Sequence, residues 1–403
     1  MFYTKRTLKD TILKLSDNFK VILLTGMRQV GKTTLLKELS GNGRTYVTLD
    51  NAKDLLMAQE EPEFFFQTYQ PPALIDEIQY APELFNHIKI IADNAPDTGL
   101  IWMTGSQQFH LMKGVTESLA GRVAILELLG YSIYERDGLG DKQVPFLPSP
   151  TPPSVLKRYN LKETYDIIWR GSYPAIVSKD VDVWSNFYSS YIKTYIERDV
   201  RQIANISNQT DFIKFLSTVA ARTAQELNIA DIARNVGISP NTAKAWLSIL
   251  ESSGVIYLLK PYYRNVTKRF IKKPKLYFTD TGLCSSLTSW NSPESLERGA
   301  MSGAIFETFV VMEIIKSYHH NGKYPAFYFY RDSVQTEIDL LIEQDGLLYP
   351  IEIKKTSNPS KDDLRGFKKI AEEFAVGYGT LICMTDKPRP LTEGANAISI
   401  WDI

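Results

Sequence analysis

The feature that most constrains this chain is a nine-residue loop, GMRQVGKTT, at residues 26–34. An apolar run, VILLTG, precedes the loop, and a segment with helical periodicity, KTTLLKELS, overlaps its end. A short continuous apolar run is typical of a strand buried on both faces of a parallel sheet. The spacing G-x-x-x-x-G-K-[ST] lets backbone N–H groups surround phosphates at a helix amino terminus. The loop therefore predicts a nucleotide phosphate site in an α/β fold.

Two side chains of this loop have predicted chemical roles. Lys32 is predicted to neutralise the β- and γ-phosphates, and the Thr33 hydroxyl is predicted to ligate Mg²⁺. ATP and Mg²⁺ are therefore the expected cofactors. The predicted nucleotide-binding set is Gly26, Arg28, Gln29, Val30, Gly31, Lys32, Thr33, Thr34 and, from a later strand, Ser106.

An acidic pair ends the apolar segment PALIDE at residues 72–77. The carboxyl ends of strands are where doubly wound sheets bind ligands. Asp76 is predicted to hold Mg²⁺, through water, and Glu77 to orient or deprotonate the attacking water. The alternative is an acidic pair on a surface turn. Adjacent carboxylates repel each other without a cation, which favours the metal interpretation.

Further polar residues follow the next predicted strand. Thr104, Ser106 and Gln107 in TGSQQ fit either a sensor of the γ-phosphate or a cap of the following helix. Arg122, in SLAGR, is predicted either to reach the γ-phosphate of a neighbouring subunit as a catalytic arginine or to be an ordinary surface residue.

These motifs resemble AAA+-type ATPases of bacteria and archaea, in the branch whose loop has the sequence G-x-R-Q-V-G-K-T-T. The motifs that carry the resemblance are LIDEIQ (74–79), TGSQQF (104–109), LAGR (119–122), GSYPAI (171–176) and YIERDV (195–200). The resemblance implies ATP hydrolysis and makes a homo-oligomer an option. By analogy Arg198 is a second candidate nucleotide-sensing arginine, with pairing to a neighbouring acid as the alternative.

The chain is too long for one core, and four parts are predicted. Four prolines in FLPSPTPPS (146–154) indicate an extended connection after the first part. The expected α/β architecture is a P-loop parallel-sheet core, a helical lid with a winged helix, and an α/β terminal domain that resembles a nuclease fold in its segment QTEIDLLIEQDGLLYPIEIKKT (335–356). The predicted ranges are 1–145 for the core, 155–222 for the lid, 223–290 for the winged helix and 291–403 for the terminal domain.

The predicted winged helix has helix-turn-helix spacing, with Gly237 in the turn and Ser239 capping the second helix. The following hairpin is rich in cations, which can neutralise DNA phosphates in a salt-dependent way. The alternative is a protein-contact module with a solvated hairpin. The cations of this basic cluster are Arg264, Lys268, Arg269, Lys272, Lys273 and Lys275.

A second hairpin is predicted at residues 335–356, with alternating EIDLLIE, a QDG turn and LLYPIEIK. Asp339, Glu352 and Lys354 would meet across it, with Glu307 on an upstream helix as a fourth member. This set resembles the D…E-x-K signature of the PD-(D/E)XK nuclease fold, which implies Mg²⁺ on Asp339 and Glu352 and cleavage of phosphodiesters. The alternative is a strand with alternating surface charges.

Net charge and the length of apolar runs bear on which partners the protein binds and where it is located. The 46 basic and 46 acidic side chains cancel, so net charge predicts neither a nucleic-acid nor a membrane partner. The chain lacks an apolar run long enough to span a bilayer and lacks a signal-peptide core, so we expect a cytoplasmic protein. The leading hypothesis is an ATPase coupled to DNA engagement, with metal-dependent cleavage. The alternative is an ATP-driven switch for a protein partner, with a silent nuclease-like domain.

Overall fold

The computed structural model describes the chain outside residues 1–3, 107–114, 116–117, 154, 178–182, 196–208, 266, 268, 270–271 and 333. The predicted roles of Gln107, Arg198 and Lys268 fall on residues outside the described ones. Within the described ranges, every helix is too short or too polar to cross a bilayer.

The amino-terminal part is built on a five-stranded parallel sheet with the order β2-β3-β4-β1-β5. Its strands are β1 (Val21–Thr25), β2 (Thr45–Thr48), β3 (Ala73–Asp76), β4 (Ile101–Gly105) and β5 (Val123–Glu127). Its helices are α1 (Lys9–Ser16), α2 (Lys32–Ser40), α3 (Ala52–Glu60), α4 (Pro62–Thr68), α5 (Leu84–Asn94) and, after the last strand, α6 (Ile133–Arg136). The predicted parallel α/β core is confirmed.

The central strand β1 shows why the sequence forms this sheet. Side chains alternate across a strand, and Ile22 and Leu24 enter one hydrophobic cluster while Val21 and Leu23 enter another. All four side chains are fully buried. An apolar run without alternation is what a strand covered on both faces needs. The loop that follows β1 is thereby fixed at the carboxyl edge of the sheet.

The middle of the chain is helical, as predicted. Its helices are α7 (Leu161–Arg170), α8 (Pro174–Val177), α9 (Trp184–Tyr195), α10 (Gln209–Ala220), α11 (Ile229–Val236) and α12 (Pro240–Ser252). Gly237 ends α11 with φ of 87°, a left-handed conformation that favours glycine. The Ser239 side chain accepts a hydrogen bond from the backbone N–H of Thr242 and caps α12.

A nine-stranded sheet spans the middle and terminal parts, with the order β13-β14-β12-β11-β10-β9-β7-β8-β6. Its strands are β6 (Gln225–Glu226), β7 (Ile256–Pro261), β8 (Lys275–Phe278), β9 (Ala326–Arg331), β10 (Glu337–Gln344), β11 (Leu347–Ile353), β12 (Gly379–Cys383), β13 (Arg389–Thr392) and β14 (Ala395–Ser399). The helices beside it are α13 (Thr281–Leu287), α14 (Pro293–Arg298), α15 (Ser302–His319) and α16 (Arg365–Glu373).

Both predicted hairpins are present in this sheet. Strands β7 and β8 pair antiparallel, and β10 and β11 pair antiparallel around a turn in which Asp345 and Gly346 have positive φ. Strand β7 also pairs in parallel with β9, so the first hairpin is part of a larger sheet. The sheet therefore takes strands from both sides of the boundary predicted at residues 290–291.

Candidate functional site

The phosphate-binding loop closes tightly against the end of β5. Gly26 has φ of 139°, and a Cβ atom at that position would lie 2.1 Å from the carbonyl oxygen of Leu128. Gly31 and Gln29 also have positive φ, 95° and 62°. Gly26 and Gly31 adopt these conformations without strain because glycine has no Cβ. The loop then leads directly into α2, whose amino terminus starts at Lys32.

Lys32 lies across the mouth of this loop. Its side chain is buried, and its Nζ atom donates hydrogen bonds to the carbonyl oxygens of Gly26 (2.9 Å) and Met27 (2.8 Å). The ammonium group is thus held beside the backbone that would surround phosphates. Val30 is buried, whereas Gln29 and Thr34 are exposed. The members of the predicted nucleotide-binding set that lie at residues 26–34 therefore form one continuous segment that leads into α2.

Asp76 brings the loop and the acidic pair together. Its Oδ1 atom accepts hydrogen bonds from the Thr33 hydroxyl (2.7 Å) and from the Thr104 hydroxyl. Its Oδ2 atom accepts one from the Tyr46 hydroxyl (3.3 Å). Three neighbouring parallel strands and the loop helix thus converge on one carboxylate at the carboxyl edge of the sheet. Thr33 and Asp76 therefore lie together, and their predicted ligation of Mg²⁺ stays a prediction.

Glu77 follows Asp76 in a left-handed backbone conformation, with φ of 58°. Its backbone N–H donates to the Thr104 hydroxyl (3.2 Å), and its carboxylate accepts hydrogen bonds from Ser106 (3.3 Å) and Gln79. A positive φ in a residue other than glycine is uncommon and clusters at functional sites. The two predicted strand-end residues, Thr104 and Ser106, therefore position the acidic pair.

Three site residues were not identified from the sequence. Tyr46 and Gln79 contact the acidic pair, and the Tyr80 hydroxyl accepts a hydrogen bond from Arg28 (3.3 Å). Gln79 and Tyr80 belong to a short 3₁₀ helix directly after Glu77, so their nearness to the acidic pair was a usable signal. Tyr46 lies on β2, whose pairing with β3 places it beside Asp76.

Arg122 lies at the opposite edge of the same sheet. It precedes β5, and its carbonyl oxygen accepts a hydrogen bond from Val21 at the start of β1. Its guanidinium contacts both carboxylate oxygens of Asp93, at 2.5 and 3.1 Å. The geometry does not bring Arg122 to the phosphate loop of its own chain. Its predicted action on a neighbouring copy stays a prediction.

A buried ion pair between Arg6 and Glu135 contacts the phosphate loop through the carbonyl oxygen of Val30. Arg6 donates hydrogen bonds to Glu135 Oε1 (3.0 Å) and to the carbonyl oxygens of Val30 (2.9 Å) and Leu129 (2.8 Å). Glu135 is fully buried and lies 3.4 Å from His320 of the terminal part. Burial lowers the pKa of His320 to about 3, so this imidazole is neutral near pH 7. Arg6 is therefore the cation that compensates Glu135.

The basic cluster of the first hairpin is smaller than predicted, and this corrects one expectation. Lys275 is buried, with its side chain 4% exposed, and Arg269 contacts Glu343 at 3.3 Å beside the rings of Tyr262 and Tyr328. Strand β8 lies inside the nine-stranded sheet, so the Lys275 ammonium faces the protein interior. The described cations of the cluster that remain exposed are Arg264, Lys272 and Lys273.

The predicted nuclease-like residues lie near each other around β10 and β11. Asp339 Oδ2 accepts a hydrogen bond from the backbone N–H of Ile353 (2.9 Å), and Lys354 Nζ contacts Glu352 Oε1 (2.7 Å). Burial and the neighbouring Asp339 carboxylate raise the pKa of Glu307 to about 7 and the pKa of Glu352 to about 8. Lys275 was not expected here, yet it contacts Glu307 at 3.0 Å and Asp339 at 3.3 Å.

Comparisons with protein families divide the chain into three matched ranges. Residues 18–136, which contain the loop and the acidic pair, match the model of an AAA domain. Residues 161–294 and residues 302–403 match two models that are each described as a domain of unknown function, DUF8612 and DUF4143. The described phosphate-site residues that meet at the carboxyl edge of the parallel sheet all lie inside the first range.

Two similar proteins carry no described activity in their names. Uncharacterized protein Rv2008c of Mycobacterium tuberculosis is 29% identical over 341 residues, which are 84% of this chain and 71% of that protein. Uncharacterized protein MJ1637 of Methanocaldococcus jannaschii is 24% identical over 342 residues, which are 75% of this chain and 70% of that protein.

Two solved structures are similar at low overall superposition. The Walker-type ATPase PABY2304 of Pyrococcus abyssi has 15% identity and a TM-score of 0.43, covering 71% of this chain and 96% of that one. The signal transduction ATPase PH0952 of Pyrococcus horikoshii, which has a tetratricopeptide repeat sensor, has 12% identity and a TM-score of 0.29. That second alignment covers 79% of this chain and 47% of PH0952.

Proposed function

We propose that this chain, whose residues 18–136 match an AAA domain and carry a P-loop, is an ATPase that binds and hydrolyses ATP with Mg²⁺. One observation carries the proposal. Lys32, Thr33, Asp76 and Glu77 converge at the carboxyl edge of a single parallel sheet, joined by hydrogen bonds from Thr33 and Thr104 to Asp76. A parallel sheet binds its ligands at this edge.

Binding of the nucleotide follows from the loop geometry. The backbone N–H groups at the start of α2 and the Lys32 ammonium provide positive charge for the β- and γ-phosphates. The left-handed conformation at Gly31 continues the loop directly into this helix. ATP phosphates at this position would replace the loop carbonyls as partners of the lysine.

The donor set of the site fits Mg²⁺. The Thr33 hydroxyl and an Asp76 carboxylate oxygen are 2.7 Å apart, and Mg²⁺ commonly takes one or two protein oxygens together with phosphate oxygens and water. Thr33 and Asp76 would hold the ion. When bound, Mg²⁺ neutralises charge that develops on the transferring phosphoryl group.

Glu77 is the residue assigned to the attacking water. Ser106 and Gln79 both contact its Oε2 atom, which orients the carboxylate. A carboxylate held beside the phosphate loop can orient a water in line with the γ-phosphate and accept its proton. Thr104 links the two acids, because it donates to Asp76 and accepts from the Glu77 backbone.

Release of phosphate from ATP by the purified full-length chain tests the proposal. Lys32→Ala should abolish binding of a fluorescent ATP analogue, and Glu77→Gln should bind it normally while turnover falls roughly 10²- to 10⁴-fold. Glu83→Gln, at an exposed acid on the same segment, is the matched control and should turn over ATP at the parent rate. Equal turnover by the Glu77→Gln variant and the parent would refute the role of Glu77.

Coupling to DNA stays a prediction, and it is supported by the three exposed cations of the hairpin. Charge reversal at Lys272 and Lys273 should weaken duplex binding and reduce the slope of log affinity against log salt by roughly 1.8, about 0.9 for each phosphate that is no longer neutralised. Reversal at the exposed Lys361 and Lys368 is the matched control. The alternative, a protein partner, predicts partner binding that is insensitive to salt and is unchanged by charge reversal at Lys272 and Lys273.

A further inference from the structure

The terminal part contains a carboxylate cluster that is closed by a lysine from another part of the chain. Lys275, at the start of β8, has its side chain 4% exposed. Its Nζ atom lies 3.0 Å from Glu307 of α15 and 3.3 Å from Asp339 of β10, and it also contacts Glu337 of β10. One ammonium group therefore stands among three carboxylates that come from two other elements.

The oxygens of these carboxylates have further partners. The second oxygen of Asp339 accepts a hydrogen bond from the backbone N–H of Ile353, and Glu307 Oε1 also accepts one from the Tyr277 hydroxyl (2.7 Å). Glu352, which the sequence predicted as a second metal ligand beside Asp339, is paired with Lys354. Hydrogen bonds and ion pairs within the protein therefore use both oxygens of Asp339 and one oxygen each of Glu307 and Glu352.

The residues do not fit the divalent ion that the nuclease resemblance implies. Mg²⁺ requires near-octahedral oxygens at about 2.0–2.1 Å from one point. In the part of the chain that the structure describes, no three His, Cys, Asp or Glu side chains are grouped to hold a metal. The point between Glu307 and Asp339 is occupied by the Lys275 ammonium. A divalent ion bound between Glu307 and Asp339 would lie next to the Lys275 ammonium, and the two cations would repel each other strongly in a buried site.

We infer that Lys275 replaces a divalent ion in this cluster, so that the nuclease-like residues form a metal-independent charge centre. The centre joins β8 of the middle part to α15 and β10 of the terminal part. Separating a buried cation from its carboxylate partners is strongly destabilising. The centre therefore favours one relative position of β8, α15 and β10. The terminal part does not cleave phosphodiesters through Asp339 and Glu352.

Binding of Mn²⁺ to full-length protein without nucleotide, measured by electron paramagnetic resonance, tests this inference. Asp76→Asn serves as the parent, because it removes the acidic ligand of the phosphate site while keeping the shape of the side chain. We expect this parent to show no Mn²⁺ binding that depends on Asp339 up to about 1 mM. Adding Lys275→Ala should create one Mn²⁺ site, with affinity raised about a hundredfold or more since a unit positive charge is removed.

The control is Asp339→Asn, which should abolish the created site and leave the parent unchanged. Circular dichroism checks that each variant is folded, and Lys275→Gln replaces Lys275→Ala if the smaller side chain prevents folding. Mn²⁺ binding by the parent that Asp339→Asn removes would overturn the inference. A folded Lys275 variant that gains no Mn²⁺ site would also overturn it, because the ammonium would then not be what excludes the ion.

Discussion

Replacement of Arg6 by methionine should destabilise the protein through the buried Glu135 beneath the phosphate loop. The variant removes three hydrogen bonds, of 3.0, 2.9 and 2.8 Å, and leaves a fully buried carboxylate without its cation. Breaking one side of a buried ion pair costs about 3–5 kcal/mol. At roughly 2–4 °C per kcal/mol, the midpoint of thermal unfolding should fall by roughly 6–20 °C. Scanning calorimetry or circular dichroism measures this shift.

A double-mutant cycle identifies the cause of that loss. In a Glu135→Gln background the buried charge is absent, so adding Arg6→Met should cost much less than it does in the parent. Arg6→Lys keeps the charge but loses the planar fork, and it should give an intermediate midpoint. A shift of the midpoint by less than about 3 °C in Arg6→Met, or an equal shift in both backgrounds, would show that Arg6 does not stabilise the protein by compensating Glu135.

The same pair sets an expectation for pH. Burial alone raises the pKa of Glu135, but the Arg6 charge and the N–H groups of Ser132 and Thr7 lower it below its ordinary value. A carboxyl with a depressed folded-state pKa contributes stability above its unfolded pKa of about 4.3, and this contribution is lost as pH falls through the folded value. Arg6→Met raises the folded pKa, so acid unfolding of the variant should begin at a higher pH than in the parent.

Three further predictions concern the phosphate site. Gly26→Ala should abolish binding of a fluorescent ATP analogue, because its Cβ would lie 2.1 Å from the Leu128 carbonyl oxygen; retained affinity would contradict the loop geometry. Thr104→Val should lower the ATP turnover number roughly tenfold while leaving nucleotide affinity unchanged, since it removes the bridge between the two acids. Arg122→Ala should restore turnover when mixed with inactive Lys32→Ala if the arginine acts on a neighbouring copy, and mixtures that stay inactive would exclude that role.

The phosphate site was predictable because its residues are local in sequence or follow from sheet topology. The loop precedes α2 directly, and Asp76 ends a buried strand with Glu77 directly after it, so the parallel sheet brings them to one edge. The supporting ion pair was not predictable. Arg6 and Glu135 are 129 residues apart, Arg6 belongs to no motif, and only the tertiary fold brings the two side chains together.

The assignment of Lys275 to the basic cluster that would contact phosphates was wrong because of pairing at long range. The sequence shows six cations within a dozen residues, which is typical of a phosphate-binding patch. Strand β8, however, lies in a nine-stranded sheet, and its first side chain is directed toward β10. The residue pattern of the β7–β8 hairpin does not reveal that β10, which is distant in sequence, will lie beside the Lys275 side chain.

The parallel pairing of β7 with β9, in which Lys260 lies opposite Tyr328, bears on how the polypeptide can be divided. Truncation near residue 290 would uncover the short edge at which β7 and β9 pair, and uncovered strand edges can recruit other chains into aggregates. Isolated fragments of either half should therefore aggregate in solution. In this protein, recombination that exchanged one of these halves alone would have to replace the strand that borders it, so the two are expected to be inherited as a single unit.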